Sequence, residues 1–166
     1  MRFLKIAKNI VETLAENAKP QANTNRPSQP EQPKPEVSVE EKDWTAEEWK
    51  AYFKEILKTE FPLYSVKENV PVTELVGFAN DEFQLYKSRP RQAYKAEWGQ
   101  PYTFLLEQAG IARGVVMLGN GHSHDSNVKY LIARMYAKKM GLPYINFYTQ
   151  MPNERDYVVS RIRKFL

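Results

Sequence analysis

Between Pro101 and Thr149 the chain spells out one unit that leaves little freedom in the fold: strand, tight turn, strand, helix, strand. Tyr102-Thr103-Phe104-Leu105-Leu106 and Gly114-Val115-Val116-Met117-Leu118 are apolar runs on either side of Gly110, the pattern of two strands joined by a hairpin. Gly119-Asn120-Gly121-His122-Ser123-His124 then opens a helix in which Val128, Leu131, Ile132, Met135, Tyr136 and Met140 recur at helical spacing. Lys129, Arg134, Lys138 and Lys139 fall largely outside that stripe. Gly141 suits the position just past a helix end, and Leu142-Pro143 leads into Tyr144-Ile145-Asn146-Phe147-Tyr148 as a further strand. A strand, a helix and a returning strand imply a parallel pair joined by a right-handed crossover.

The segments before and after this unit extend it to α, β, β, β, α, β, α. Thr45 and Glu48 stand three apart as a capping box, and Trp49, Tyr52, Phe53, Ile56, Leu57 and Phe61 mark the face of the helix behind it. Tyr64, Val66, Val70 and Val72 share one parity of a strand, which Pro71 places at an edge or a bulge. Phe78 to Trp98 has no single period: Phe83, Tyr86, Tyr94 and Trp98 alternate with Lys87, Arg89, Arg91 and Lys95. At the end, Asn153 is placed to cap a helix with Tyr157, Val158, Ile162 and Phe165 turned inward and Arg155, Arg161, Arg163 and Lys164 in water.

Ahead of this domain, expected to occupy residues 43–166, two further regions stand out. Residues 1–17 carry Phe3, Ala7, Ile10 and Leu14 as a stripe beside Arg2, Lys5 and Lys8, the pattern of a short amphipathic helix that needs a surface to bury it. An unidentified protein, a membrane surface, a second copy of the helix or its own domain would serve. Residues 18–42 hold Pro20, Pro27, Pro30, Pro33 and Pro35 among polar residues and read as a disordered, partly polyproline linker.

With 166 residues, 42% of them hydrophobic, the chain can bury one core. The absence of cysteine excludes disulfides, thiolate zinc sites and cysteine nucleophiles, and fits the reducing cytoplasm, where the protein is expected. No apolar run approaches the roughly 20 residues of a transmembrane helix. Lys5, Lys8 and Asn9 interrupt the place of a secretory h-region, so no signal peptide is expected. The net charge of +4 hides an asymmetry: residues 43–84 have 4 basic against 9 acidic side chains, residues 85–166 have 13 against 5. Such polarity attracts polyanions. Lys87, Arg89, Arg91 and Lys95, interleaved with Tyr86 and Tyr94, are the candidates to hold phosphates and stack bases; the competing reading makes the rings core and the cations its wet edge.

The order of elements, with Phe104, Gly121 and His124 in their places, resembles the PD-(D/E)XK nuclease superfamily, most nearly its very-short-patch-repair-like branch. The resemblance covers roughly residues 45–166 and implies a restriction-endonuclease-like αβββαβ core with a C-terminal helix. Thr103-Phe104 stands where the family has Asp-Phe, and Leu118-Gly119-Asn120-Gly121-His122-Ser123-His124 where it has Glu-x-Asp-Gly-x-x-His. Thr103, Leu118 and Asn120 therefore replace the acids that hold metal, and the carboxylates nearby in sequence are Glu97, Glu107 and Asp125.

Mg²⁺ prefers anionic oxygen, and neither a hydroxyl, a carboxamide nor an alkyl group supplies it. Without the ion, the water and the phosphate lose their activating centre. The expectation is a nuclease-fold domain that binds nucleic acid, lacks the usual Mg²⁺-dependent phosphodiesterase site and leans away from being an enzyme, with no cofactor required. Two alternatives stay open. One is a divergent endonuclease acting on DNA or RNA, in which His122, His124 and Asp125 hold a divalent transition metal or supply a general base, with Asn120 and Thr103 beside them. Against this stands a local role, Asp125 or Ser126 capping the helix and the histidines making ordinary hydrogen bonds. The other is a protein-interaction module on a relic fold.

Overall fold

The computed structural model describes residues 42–166. The amphipathic segment 1–17 and, but for Lys42, the linker 18–42 lie outside the described residues. Helix α1 (Ala46–Glu60) begins at the expected capping box: Thr45 N donates to Glu48 Oε2 at 2.7 Å and Glu48 N donates to Thr45 Oγ1 at 3.3 Å. Then come β1 (Ser65–Val70), a one-turn α2 (Val72–Val76), a small hairpin of β2 (Asn80–Phe83) and β3 (Gln92–Lys95), and a 3₁₀ turn (Ala96–Trp98). The second half contains β4 (Tyr102–Gln108), β5 (Ile111–Gly119), α3 (Gly121–Ser126), α4 (Val128–Lys139), β6 (Tyr144–Tyr148) and α5 (Arg155–Phe165). None of the described helices is long and apolar enough to cross a membrane.

The main sheet has the order β1-β4-β5-β6, antiparallel between its first three strands and parallel between β5 and β6. The β4–β5 turn has Ala109 and Gly110 at φ 52° and 76°, a two-residue connection with both residues left-handed. Helices cover both faces. Trp49, Phe53, Ile56 and Leu57 of α1 and Val158 and Ile162 of α5 pack on Phe104, Leu106, Val116, Leu118, Ile145 and Phe147. On the other face, Ile132, Ala133, Tyr136 and Ala137 of α4 meet Leu105, Val115 and Met117. Strands buried on both sides read as continuous apolar runs, which is why β4 and β5 stand out in the sequence.

Several local expectations change. Val72 is not a strand residue: Pro71 sets the extended backbone at the head of α2, so β1 stops at Val70. The unassigned stretch Phe78–Trp98 contains the second sheet, held to α4 by the Tyr136 hydroxyl, which lies 2.6 Å from Tyr94 O and 3.1 Å from Ala79 O and accepts from Asp81 N at 3.2 Å. Asn127, rather than Asp125 or Ser126, caps α4 by accepting from Lys129 N at 3.0 Å, and it separates α4 from α3. Asn153 does not cap α5. It has φ 48° and is buried, donating from Nδ2 to Tyr148 O and Met151 O at 2.9 and 3.0 Å.

Helix α5 also turns less of itself inward than its periodicity suggests. Tyr157 and Phe165 are exposed, while Val159 takes a buried place. Its basic residues do more than stay wet: Arg155 bonds Glu55 and Glu60 of α1 at 2.6 and 3.0 Å, and Arg161 donates to Asn146 O at 3.3 Å and Asn146 Oδ1 at 3.1 Å. Val115 N pairs with Pro143 O and Thr149 N with Gly119 O, so the backbone groups of Asn146 and Tyr148 point away from β5, along the edge of the sheet as it is formed by the described residues. The carbonyls of both are thus bonded, by Arg161 and by Asn153.

Candidate nucleic-acid interface

Thr103 and Leu118 meet where β4 begins and β5 ends, inside the protein. The Thr103 hydroxyl accepts from Leu118 N at 3.0 Å and points its proton at Met117 Sδ, 3.7 Å away. It takes the place of a backbone acceptor for a buried N–H, a task threonine performs and an ionised aspartate would perform only at a large desolvation cost. The Leu118 side chain belongs to the core. Asn120 is exposed, but its carboxamide oxygen accepts from Ser123 N at 2.8 Å to cap α3. The three positions do not fit Mg²⁺: two neutral oxygens already serve as acceptors for backbone N–H groups and the third position has no donor.

His122 and His124 stand two apart in α3 and so point to opposite sides of it. His122 is exposed, whereas His124 is 3% exposed, with its ring edge-on to Tyr130 and Tyr148 at centroid distances of 5.6 and 5.1 Å. His124 Nε2 lies 2.9 Å from Phe147 O, so this nitrogen carries the proton and donates, and Nδ1 is buried without a partner. Burial pulls the His124 pKa below its ordinary value, opposed by the Phe147 carbonyl and then by Asp125. Gly119 makes room for the ring: a Cβ there would lie 3.0 Å from Tyr130 Cε1 and 3.4 Å from His124 Cε1. Asp125 accepts from the Tyr148 hydroxyl at 3.4 Å. Among the described residues no three His, Cys, Asp or Glu side chains gather as metal ligands.

Lys87, Arg89, Arg91 and Lys95 lie on the β2–β3 hairpin and its loop. The Tyr86 hydroxyl donates to Ser126 O at 2.7 Å, pinning the β2–β3 loop against the end of α3. Gln84 Nε2 closes that loop on Arg89 O at 2.8 Å, and the Arg89 guanidinium sits 5.5 Å from the Tyr86 ring centroid. Arg91 is paired with Glu82 at 3.4 Å and Lys95 with Glu97 at 3.8 Å. No such acid partner meets Lys87 or Arg89 among the described residues. Exposed pairs of this kind contribute little to stability.

Sequence reasoning missed a cleft of about 760 Å³ between α2, the 3₁₀ turn and the start of α4. Its walls come from three separate segments, and the one local signal was Trp98, an aromatic residue in a stretch without period. Comparison with known proteins gives no match for this chain among family models, curated proteins or solved structures.

Proposed function

We propose that residues 43–166 form a restriction-endonuclease-like domain that binds nucleic acid and has lost Mg²⁺-dependent phosphodiester hydrolysis. The observation that carries this reading is the basic β2–β3 loop, tied by Tyr86 to the α3 end beside β5 and presenting Lys87 and Arg89 free of acid partners among the described residues. Support for the ancestry comes from the helix, three antiparallel strands, crossover helix and parallel strand, set aside the inserted β2–β3 hairpin. Support for the loss comes from Thr103 and Asn120, whose oxygens hold backbone N–H groups, and from Leu118 in the core.

The test has two arms. Anisotropy titrations of labelled oligonucleotides across a salt series should give an affinity that falls steeply as salt rises, because each phosphate neutralised releases counterions. Arg89→Ala with Arg91→Ala should flatten the slope of log K against log salt by about one to two. Incubation of DNA and RNA with Mg²⁺, Mn²⁺ or Zn²⁺ should leave both intact. Robust cleavage that disappears in His124→Ala would replace this reading with the divergent endonuclease, and salt-independent or undetectable binding would leave a protein-interaction module.

A further inference from the structure

We infer that the cleft beside Trp98 receives an unstacked base of single-stranded nucleic acid, a statement of substrate class that rests on the function proposed above. Val72, Tyr94, Trp98, Gln100, Val128 and Lys129 are among its walls. Trp98 is 48% exposed and Val128 42% exposed, whereas Trp49 is 2% exposed and packs with Trp44 in an aromatic cluster of the core. An indole left open at the mouth of a cleft is a stacking platform.

The backbone beneath the indole is held on both sides. Gly99 comes so near α2 that a Cβ on it would fall 2.7 Å from Val72 Cγ2, and Gly99 N donates to Ala96 O at 3.1 Å. On the other side Gln100 N donates to Lys129 O at 2.9 Å, fastening the turn to α4. Little backbone entropy is therefore lost when a ring settles on Trp98.

Charge complements the aromatic surface. Lys95 Nζ lies over the Trp98 ring, 5.5 Å from its centroid, and Lys129 lines the cleft. The acid in the wall, Glu97, has Lys95 Nζ at 3.8 Å. An ammonium group over the ring and a second on the wall match a nucleotide, whose base stacks on the indole in exchange for the Lys95 contact while its phosphate meets an ammonium group. A duplex keeps its bases stacked and would have to flip one out at a cost of a few kcal/mol. An uncharged apolar peptide would use the indole and leave Lys129, which meets no acid partner among the described residues, without a counter-charge.

The experiment compares a labelled oligothymidylate with a duplex of equal length, using the full chain as wild type, Trp98→Ala and Trp98→Phe, each verified as folded by its melting curve. Trp98→Ala should weaken single-strand binding roughly 5- to 150-fold with the salt slope unchanged. Duplex binding should hardly move, and Trp98→Phe should recover most of the loss. Single-strand affinity unchanged by Trp98→Ala, or an equal loss for duplex, would overturn the cleft assignment while leaving the nucleic-acid function standing. Absence of any binding by the wild type would overturn both. Tryptophan emission quenched by an amphipathic apolar peptide and unmoved by oligonucleotides would also overturn it, giving the cleft to a protein partner.

Discussion

Thr103 and His124 look in sequence like remnants of a catalytic centre, and their surroundings give both of them structural work. Thr103→Val keeps the shape and removes the oxygen that satisfies Leu118 N, leaving a buried donor unpaired. Its unfolding free energy should drop by about 1–3 kcal/mol, measured by urea denaturation. Thr103→Asp should be worse, because the new carboxylate would be more than nine-tenths buried, and Mg²⁺ should not rescue it. For His124 the sign follows from burial, which depresses the folded pKa below that of the unfolded chain. The unfolded state therefore binds the proton first, at about pH 6.5. The contribution of His124 to stability is complete above that value and is lost as pH falls from there through the lower folded pKa. Urea midpoints at about pH 7.5 and about pH 5 should differ more for wild type than for His124→Gln. An equal pH dependence in the two proteins would mean that another group is responsible.

At the scale of elements, what could be read from the sequence was what is repeated or punctuated. Helix α1 announced itself through Thr45 and Glu48 at one end and an aromatic stripe along its length, and the β4–β5 hairpin through two apolar runs about Gly110. The β2–β3 hairpin has four residues per strand and few buried side chains, so its alternation is too short to register. Its anchor is a hydroxyl on α4, more than forty residues downstream of β3, which no local pattern displays. Helix α4 was legible over its length but not at its start, because Asp125, Ser126 and Asn127 are all capping residues and only the backbone decides among them. The β4–β5 turn also offers an improvement. Ala109 pays for a left-handed backbone that Asn adopts more easily, so Ala109→Asn, giving Asn-Gly at this turn, should stabilise the protein by about 0.5–1 kcal/mol. A lower thermal midpoint for that variant would show that the turn is constrained in some other way.

For the whole molecule, the charge division along the chain foretold a basic half, and the structure refines what that half offers. Arg155 is drawn into α1 by Glu55 and Glu60, and Lys139 pairs with Asp81, so part of the positive charge holds elements together. The positive charge without an acid partner among the described residues is concentrated on fewer residues than the composition implied. The candidate site was legible to the extent that its residues were neighbours in sequence: the loop 84–91 and the segment 118–125 could be named, but their junction through Tyr86 and Ser126 could not. The Trp98 cleft needed α2, the 3₁₀ turn and α4 to be placed in space first.

The outer margin of β6 has a bearing on how copies of this chain can meet. Two carbonyls that would greet an incoming backbone are already committed, one to a guanidinium and the other to a carboxamide. Fibril-like growth or strand exchange at that border would first have to evict Arg161 and Asn153, so the sheet carries its own terminator there.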